Sequence, residues 1–267
     1  MKNYFLYSFI SITFIFFSNC KAIDILEIID NNNITELNKI IKNGYDINKE
    51  IVKDFLPYIN YTPLLYAVEK EKYEIIKLLI QNNVDLNFST NIDSPISLAA
   101  KKNNITIIKL LLDNGADINN DFRYGSNNSY TYSAIFHAAT HFNFELFDYL
   151  ISRGADVNRG RLLEGDNALM AVIGNFIVDD NKNITYHNEI VKMVKKLIEN
   201  GIDVNYNPHF GNALTLAAER NNEEVIELLL KNGFDVLNIV NYLEITTYEY
   251  VISLNNFRIN EIISNYR

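Results

Sequence analysis

A single cysteine, Cys20, is all the thiol chemistry this 267-residue sequence contains, so no disulfide can staple its folded part, whatever redox compartment it reaches. Proline and glycine are also scarce, four and ten residues, while 48% of positions are hydrophobic. That balance excludes a disordered chain and leaves material for a substantial core in one domain or one repeat array. Basic charge is in deficit: 24 Lys and Arg stand against 33 Asp and Glu, for a formal charge of -9 and a pI near 5.0. Nucleic acid is therefore excluded as a partner, because its phosphates are bound through a basic footprint. Long apolar runs are lacking except at the start, where Lys2 precedes the run from Tyr4 to Phe17. Its roughly 14 residues match a signal peptide rather than the ~20 of a membrane-spanning helix. The pattern predicts export with removal of residues 1–22, and losing Lys2 and Lys21 leaves the remainder, 23–267, more acidic still.

Two processing routes are open. Phe17-Ser18-Asn19-Cys20 resembles a bacterial lipobox, although the pattern prefers Leu where Phe17 stands and a small residue where Asn19 stands. That resemblance implies cleavage before Cys20 and lipid attachment to it, the one route by which the chain would touch a membrane. The other route is ordinary cleavage after Ala22, with Cys20 and Ala22 as the small residues of the site. Asp24-x-x-Glu27 reads as a helix capping box, which leaves almost no tether after Cys20.

Beyond Ile23 the sequence repeats itself. Thr62 to Asn87 reads TPLLYAVEKEKYEIIKLLIQNNVDLN, Ser94 to Asn119 reads SPISLAAKKNNITIIKLLLDNGADIN, and Ser133 to Asn158 reads SAIFHAATHFNFELFDYLISRGADVN. Further copies run over 167–205 and 212–237, with a divergent first copy over 23–48 and a truncated, capping last one over 246–267, about seven units in all. In each, a hydroxyl residue such as Thr62 or Ser94 takes the N-cap, followed by Pro63 or Pro95 at the first helical position, where the missing N–H is no loss. Small residues (Ala67, Ala99-Ala100, Ala138-Ala139, Ala217-Ala218) let neighbouring hairpins approach closely. Asn32, Asn103 and Asn221 then stop the first helix, since asparagine tolerates the left-handed conformation. The second helix carries an apolar stripe too broad to stand alone, as in Ile107-Ile108 with Leu110-Leu111-Leu112, and must be covered on both sides. Gly115, Gly154, Gly201 and Gly233 close it with a left-handed C-cap, a task that falls to Asn83 in the second unit.

Through TPLLYAV, SPISLAA and the GADIN and GADVN endings, the sequence resembles the ankyrin-repeat family over nearly all of the chain after Ile23. The resemblance implies an all-α ankyrin-repeat solenoid of stacked helix-turn-helix units with short hairpin fingers, a monomer that binds a protein partner and needs no cofactor. The histidine of the family's T-P-L-H is replaced by Leu65, Ser97, Phe136, Met170, Thr215 and Glu249, with the expected loss of its hydrogen bonds.

Three inter-unit gaps exceed the ~33 residues of such a unit. The excess falls in 49–61 and 120–132, where the family projects its fingers, and in 175–189, between the helices of the fifth unit. The finger insertions hold Phe55, Tyr58 and Tyr61, and Phe122, Tyr124, Tyr130 and Tyr132; tyrosine is over-represented at binding hot spots, but such rings can also fold down onto the nearest helix. The family's concave contact positions correspond to Glu69 and Lys70, Lys101 and Lys102, Thr140 and His141, and Glu219 and Arg220. These residues, with Tyr58, Tyr61, Tyr124, Tyr130 and Tyr132, are the candidate partner-binding set; the alternative is a solvated charged face.

Catalytic residues are not expected. His137 takes the helix position of Tyr66 and Leu98 and reads as a packing substitution, His141 as a surface residue, and His187 and His209 as loop residues. There is no H-E-x-x-H, Cys-His cluster or glycine-rich phosphate loop, and no metal ligand set is expected. The functional expectation is a non-catalytic protein-binding module or scaffold, exported from the cytoplasm and periplasmic or membrane-anchored. The alternatives are a released effector that engages a host or competitor protein, and an enzyme with its site in the insertions. The bias towards Asn, Ile and Lys is that of an AT-rich bacterial genome.

Overall fold

Hydroxyl and amide side chains start the helices where local chemistry places them. In the computed structural model, which describes residues 24–52, 60–88, 93–120, 132–159, 166–174, 187–208, 211–240 and 244–266, an N-cap oxygen accepts the backbone N–H three residues on at Thr62 (3.2 Å), Ser94 (3.3 Å), Ser133 (3.2 Å), Asn167 (2.9 Å) and Asn212 (3.0 Å). Each bond satisfies a donor that the first helical turn leaves orphaned. The described residues form fourteen helices in seven consecutive pairs. They are α1 (Ile25–Asp30) with α2 (Ile34–Lys42), α3 (Pro63–Glu69) with α4 (Tyr73–Gln81), and α5 (Pro95–Lys101) with α6 (Ile105–Asp113). Then come α7 (Ala134–Thr140) with α8 (Phe144–Ser152), α9 (Ala168–Gly174) with α10 (His187–Glu199), α11 (Ala213–Glu219) with α12 (Glu223–Lys231), and α13 (Thr247–Ser253) with α14 (Phe257–Ser264). Two fingers are small antiparallel hairpins: β1 (Ile51–Val52) pairs with β2 (Asn60–Tyr61), and β3 (Ile239–Val240) with β4 (Ile245–Thr246).

The left-handed stops stand where glycine and asparagine permit them. Asn32, Asn103 and Asn221 adopt φ of 51°, 57° and 53° between the helices of their pairs, and Gly115 and Gly154 reach 93° and 90° after the second helix. Two bulkier residues, Glu71 and Phe142, hold the same turn at 52°.

First helices pack side by side in an unbroken row from α1 to α13, with Ala67, Ala99, Ala139 and Ala217 fully buried between neighbours. One continuous core runs from Ile25 to Ile263. Two positions of the second helices change character in the first and last described pairs. Leu37, Ile76, Ile108, Phe147, Val194 and Ile226 share one position of the second helix and are all fully buried. In α14 that position is held by Asn260. The adjacent position faces backwards: it is Glu36 in α2 but Ile75, Ile107, Leu146, Met193, Val225 and Ile259 afterwards, all buried.

A second set of contacts ties the stack together on its finger side. In each Asp-x-Asn ending the Asp carboxylate accepts the N–H two residues on, as at Asp117 (2.9 Å to the Asn119 N–H), which turns the asparagine towards the next unit. There the asparagine oxygen accepts the next aspartate's N–H: Asn48 from Asp85, Asn87 from Asp117, Asn119 from Asp156, Asn158 from Asp203 and Asn205 from Asp235, all within 2.7–2.9 Å. The amide groups of Asn119, Asn158 and Asn205 also donate to the carbonyls of Gly154, Gly201 and Gly233. Leu237 occupies the sixth such position and ends the ladder, 57% exposed. The histidine replacements do not all lose their bonds. Ser97 donates to Asp93 (3.0 Å) and to the Tyr132 carbonyl, while Thr215 and Glu249 close reciprocal capping boxes with Asn212 and Thr246. Thr215 and Glu249 reach the N-cap from the same turn and Ser97 reaches the residue before its cap and the next unit, which Leu65, Phe136 and Met170 have no group to do.

Candidate protein-binding face

The row of first helices sets the register of the candidate residues. Glu69, Lys101, Thr140 and Glu219 are the last residues of α3, α5, α7 and α11, and Lys70, Lys102, His141 and Arg220 follow as their C-caps. Eight polar side chains thus share one level of one face, while the core behind them is complete without them. Their charges are largely used within the protein. Lys102 Nζ lies 3.0 Å from Glu69 Oε1 across two units, and Lys101 Nζ lies 3.3 Å from Asp93 Oδ2. Lys70 stands over the Tyr66 ring, 5.5 Å from its centroid, and Glu219 accepts the Tyr250 hydroxyl. Thr140 donates to the Phe136 carbonyl (2.9 Å), and His141 Nδ1 lies 2.9 Å from the His137 carbonyl. Of the three lysines in this set, Lys101 and Lys102 are thus paired with carboxylates and Lys70 lies over a tyrosine ring.

Tyr61 and Tyr132 hold equivalent places, immediately before the caps Thr62 and Ser133, and both rings lie against the first helix. Tyr61 meets Tyr66 edge-on at 5.6 Å, and Tyr132 lies 4.7 Å from Phe136 and 5.4 Å from His137. Burial, with Glu69 and Asp93 nearby, pushes the Tyr61 hydroxyl above its ordinary pKa. Tyr58, Tyr124, Tyr130, Phe55, Phe122, His209 and Cys20 lie outside the described residues.

Sequence reasoning missed two residues behind this face. Asp93, 4% exposed, collects Ser97 and Lys101, with His137 Nε2 3.7 Å away. An acid directly before the Ser94-Pro95 cap was its only sequence signal. Tyr66, 2% exposed, donates to both oxygens of Asp30 at 2.9 Å, and burial with that hydrogen bond pushes its pKa up to about 12. His137 is 5% exposed with Nε2 lacking a hydrogen-bond partner, which fits a packing substitution. His187 lies in the first turn of α10, not in a loop, 3.8 Å from Glu224. Among the described residues no group of three or more His, Cys, Asp or Glu side chains could hold a metal ion, and no helix is long and apolar enough to cross a membrane.

An open cleft of about 580 Å³ lies at the turns of the third and fourth pairs, away from the fingers and next to His141 of the candidate set. Ile105, Phe142, Phe144 and Leu146 supply its apolar lining, and His141, Glu145 and an Asn143-to-Asn103 hydrogen bond its polar parts.

Paired antiparallel helices, a glycine-capped second helix, hairpin fingers and an asparagine ladder between units define a helical-repeat solenoid of the kind that presents one extended face to other proteins. The family model for ankyrin repeats matches the chain three times, over residues 25–122, 89–161 and 135–240, and the chain belongs to the ankyrin-repeat family. Among solved structures it is similar to the human ASB11 ankyrin repeat domain, at 18% identity and a TM-score of 0.57, covering 91% of this chain and 97% of that one. It is also similar to an ankyrin repeat domain from Acinetobacter baumannii AYE, at 25% identity and a TM-score of 0.57, covering 79% and 98% respectively. No curated protein sequence matches it. Ankyrin repeats generally mediate protein–protein interaction.

Proposed function

We propose that this is an exported bacterial ankyrin-repeat protein, a non-catalytic binding module that recognises a folded protein partner outside the cytoplasm as a monomer. One observation carries the binding reading: Glu69, Lys70, Lys101, Lys102, Thr140, His141, Glu219 and Arg220 share one register on a face whose core does not need them. The tyrosines of the two finger insertions are assigned to the same partner-binding set on their sequence position alone. Neutralised lysines favour a partner held by shape, aromatic contact and hydrogen bonds over one held by net charge, because a buried ion pair brings specificity more than affinity. Replacing Lys101, Lys102, Tyr124 and Tyr130 together by alanine is expected to abolish capture of a partner that the parent chain retains. Equal capture by the variant, identified by mass spectrometry, overturns this placement.

Export rests on Lys2, the Tyr4–Phe17 run and the two cleavage patterns. The mass of the mature chain tests it: an acylated N-terminal Cys20 would hold the protein in the envelope, a start at Ile23 would leave it unanchored, and an intact Met1 start in the cytoplasm overturns export.

A further inference from the structure

A polar group taken away from water costs free energy unless it finds a hydrogen bond, so buried side-chain nitrogens are normally satisfied. His137 departs from that rule. It holds on α7 the position that Leu98 holds on α5, and its Nε2 is buried without a hydrogen-bond partner. That nitrogen lies 3.7 Å from Oδ1 of the buried Asp93, just beyond hydrogen-bond reach. A proton added to the ring would turn this near miss into a charge-assisted bond, because both nitrogens of an imidazolium donate.

The surroundings leave Asp93 as the acid that answers such a proton. From α5 come Ser97, which donates to Asp93 Oδ1, and Lys101, whose ammonium lies 3.3 Å from Oδ2. The segment before α7 supplies the Tyr132 ring, 5.4 Å away, and α7 itself supplies His141, 5.9 Å away between ring centroids. On the other side, α9 (Ala168–Gly174) has no titratable side chain, and the acids of α8, Glu145 and Asp148, are exposed. Asp166, before α9, forms no ion pair with His137.

We propose that His137 is a proton switch behind the candidate face: once charged, it takes up the Asp93 carboxylate that otherwise neutralises Lys101, and so releases the Lys101 ammonium to a partner. With His137 neutral, the charges of Asp93 and Lys101 cancel. With it charged, one positive charge is left over. That surplus resides on the member that reaches solvent, since the Lys101 side chain is 48% exposed and those of Asp93 and His137 are each 6% exposed. Acid thereby turns a neutralised position of the face into a cationic one. The proposal rests on the reading of this face as the partner-binding one and adds its regulation.

The test is a titration of the whole isotope-labelled chain over about pH 5–8, where imidazoles change charge, following the His137 ring and the Lys101 methylene next to the ammonium by nuclear magnetic resonance. The Lys101 signals are expected to move towards those of a solvated lysine with the same midpoint as the His137 ring. In His137→Leu, which installs the residue type of α5, they should stay flat; in Asp93→Asn they should resemble solvated lysine at every pH. A His137 ring that stays neutral throughout, Lys101 signals that do not follow the ring, or a Lys101 titration that survives His137→Leu each overturns the switch. The first two outcomes need only the parent chain, so a variant that fails to fold leaves the test standing. Lys101→Ala separates the two readings. A partner captured equally well by that variant overturns the place of Lys101 on the face, and with it the role of the released ammonium; flat Lys101 signals in a parent chain that needs Lys101 for capture overturn the switch alone.

Discussion

Tyr66 keeps its proton longer than an ordinary tyrosine because its hydroxyl is enclosed and points at the Asp30 carboxylate. An unfolded tyrosine releases its proton near pH 10, whereas here the pKa is pushed up to about 12. Below about pH 10 both states are protonated and the stabilisation is complete. Between about 10 and about 12 the unfolded chain holds fewer protons than the folded one, so stability falls as pH rises. Tyr66→Phe is expected to cost about 1–2 kcal/mol at neutral pH through the lost bond and to flatten that alkaline fall; urea unfolding at several pH values, with phenolate absorbance, checks both. Phe142 is a residue-scale cost of the opposite kind, since a left-handed backbone costs a side chain roughly 1–2 kcal/mol and asparagine offsets part of that by local hydrogen bonding.

At the scale of elements, the same short segment does different work at its two ends. Ser133 and Asn167 start helices within their own unit, whereas Asn119 and Asn158 join one unit to the next. Asn119→Ala removes the acceptor for the Asp156 N–H and the donor to the Gly154 carbonyl. The expected loss is about 1–2 kcal/mol, seen as a lower urea midpoint at unchanged slope. Leu237→Ala alters the equivalent position where the ladder has ended; with the side chain 57% exposed, the change should stay within about 0.5 kcal/mol. Similar losses at both sites would show that the asparagine acts on its own loop rather than across the junction. The Gly-x-Asp pattern was plain in the sequence, but the asparagine's role was not, because its partner lies about one unit away along the chain.

At the scale of the whole molecule, Glu36 and Asn260 place polar groups in the first and last described pairs where the pairs between them place apolar ones. Asn260→Ile would extend the apolar pattern of the other pairs to α14, and exposed apolar ends of repeat arrays associate. The expected result is concentration-dependent self-association in light scattering with the helical signal unchanged; a variant that stays monomeric at all concentrations would show that Asn260 does not cap the stack. The repeat architecture was legible because it is written in local chemistry, copy after copy. The candidate face was legible only as a list of positions, because adjacent lysines met different neighbours: Lys101 met a buried acid and Lys102 an acid one unit back.

Sequence by itself determined where helices begin and end, since a cap oxygen reaches an N–H three residues away and a left-handed asparagine or glycine needs no distant partner. It also determined the all-α repeat class and the register of the exposed positions. Tertiary structure alone decided which of those positions keep free charge, which tyrosines turn inward, and that Phe142 lies at a cleft. Part of this depends on side chains far apart in sequence that become neighbours only when the units stack, as for Lys102 and Glu69 (33 apart) and Tyr66 and Asp30 (36 apart).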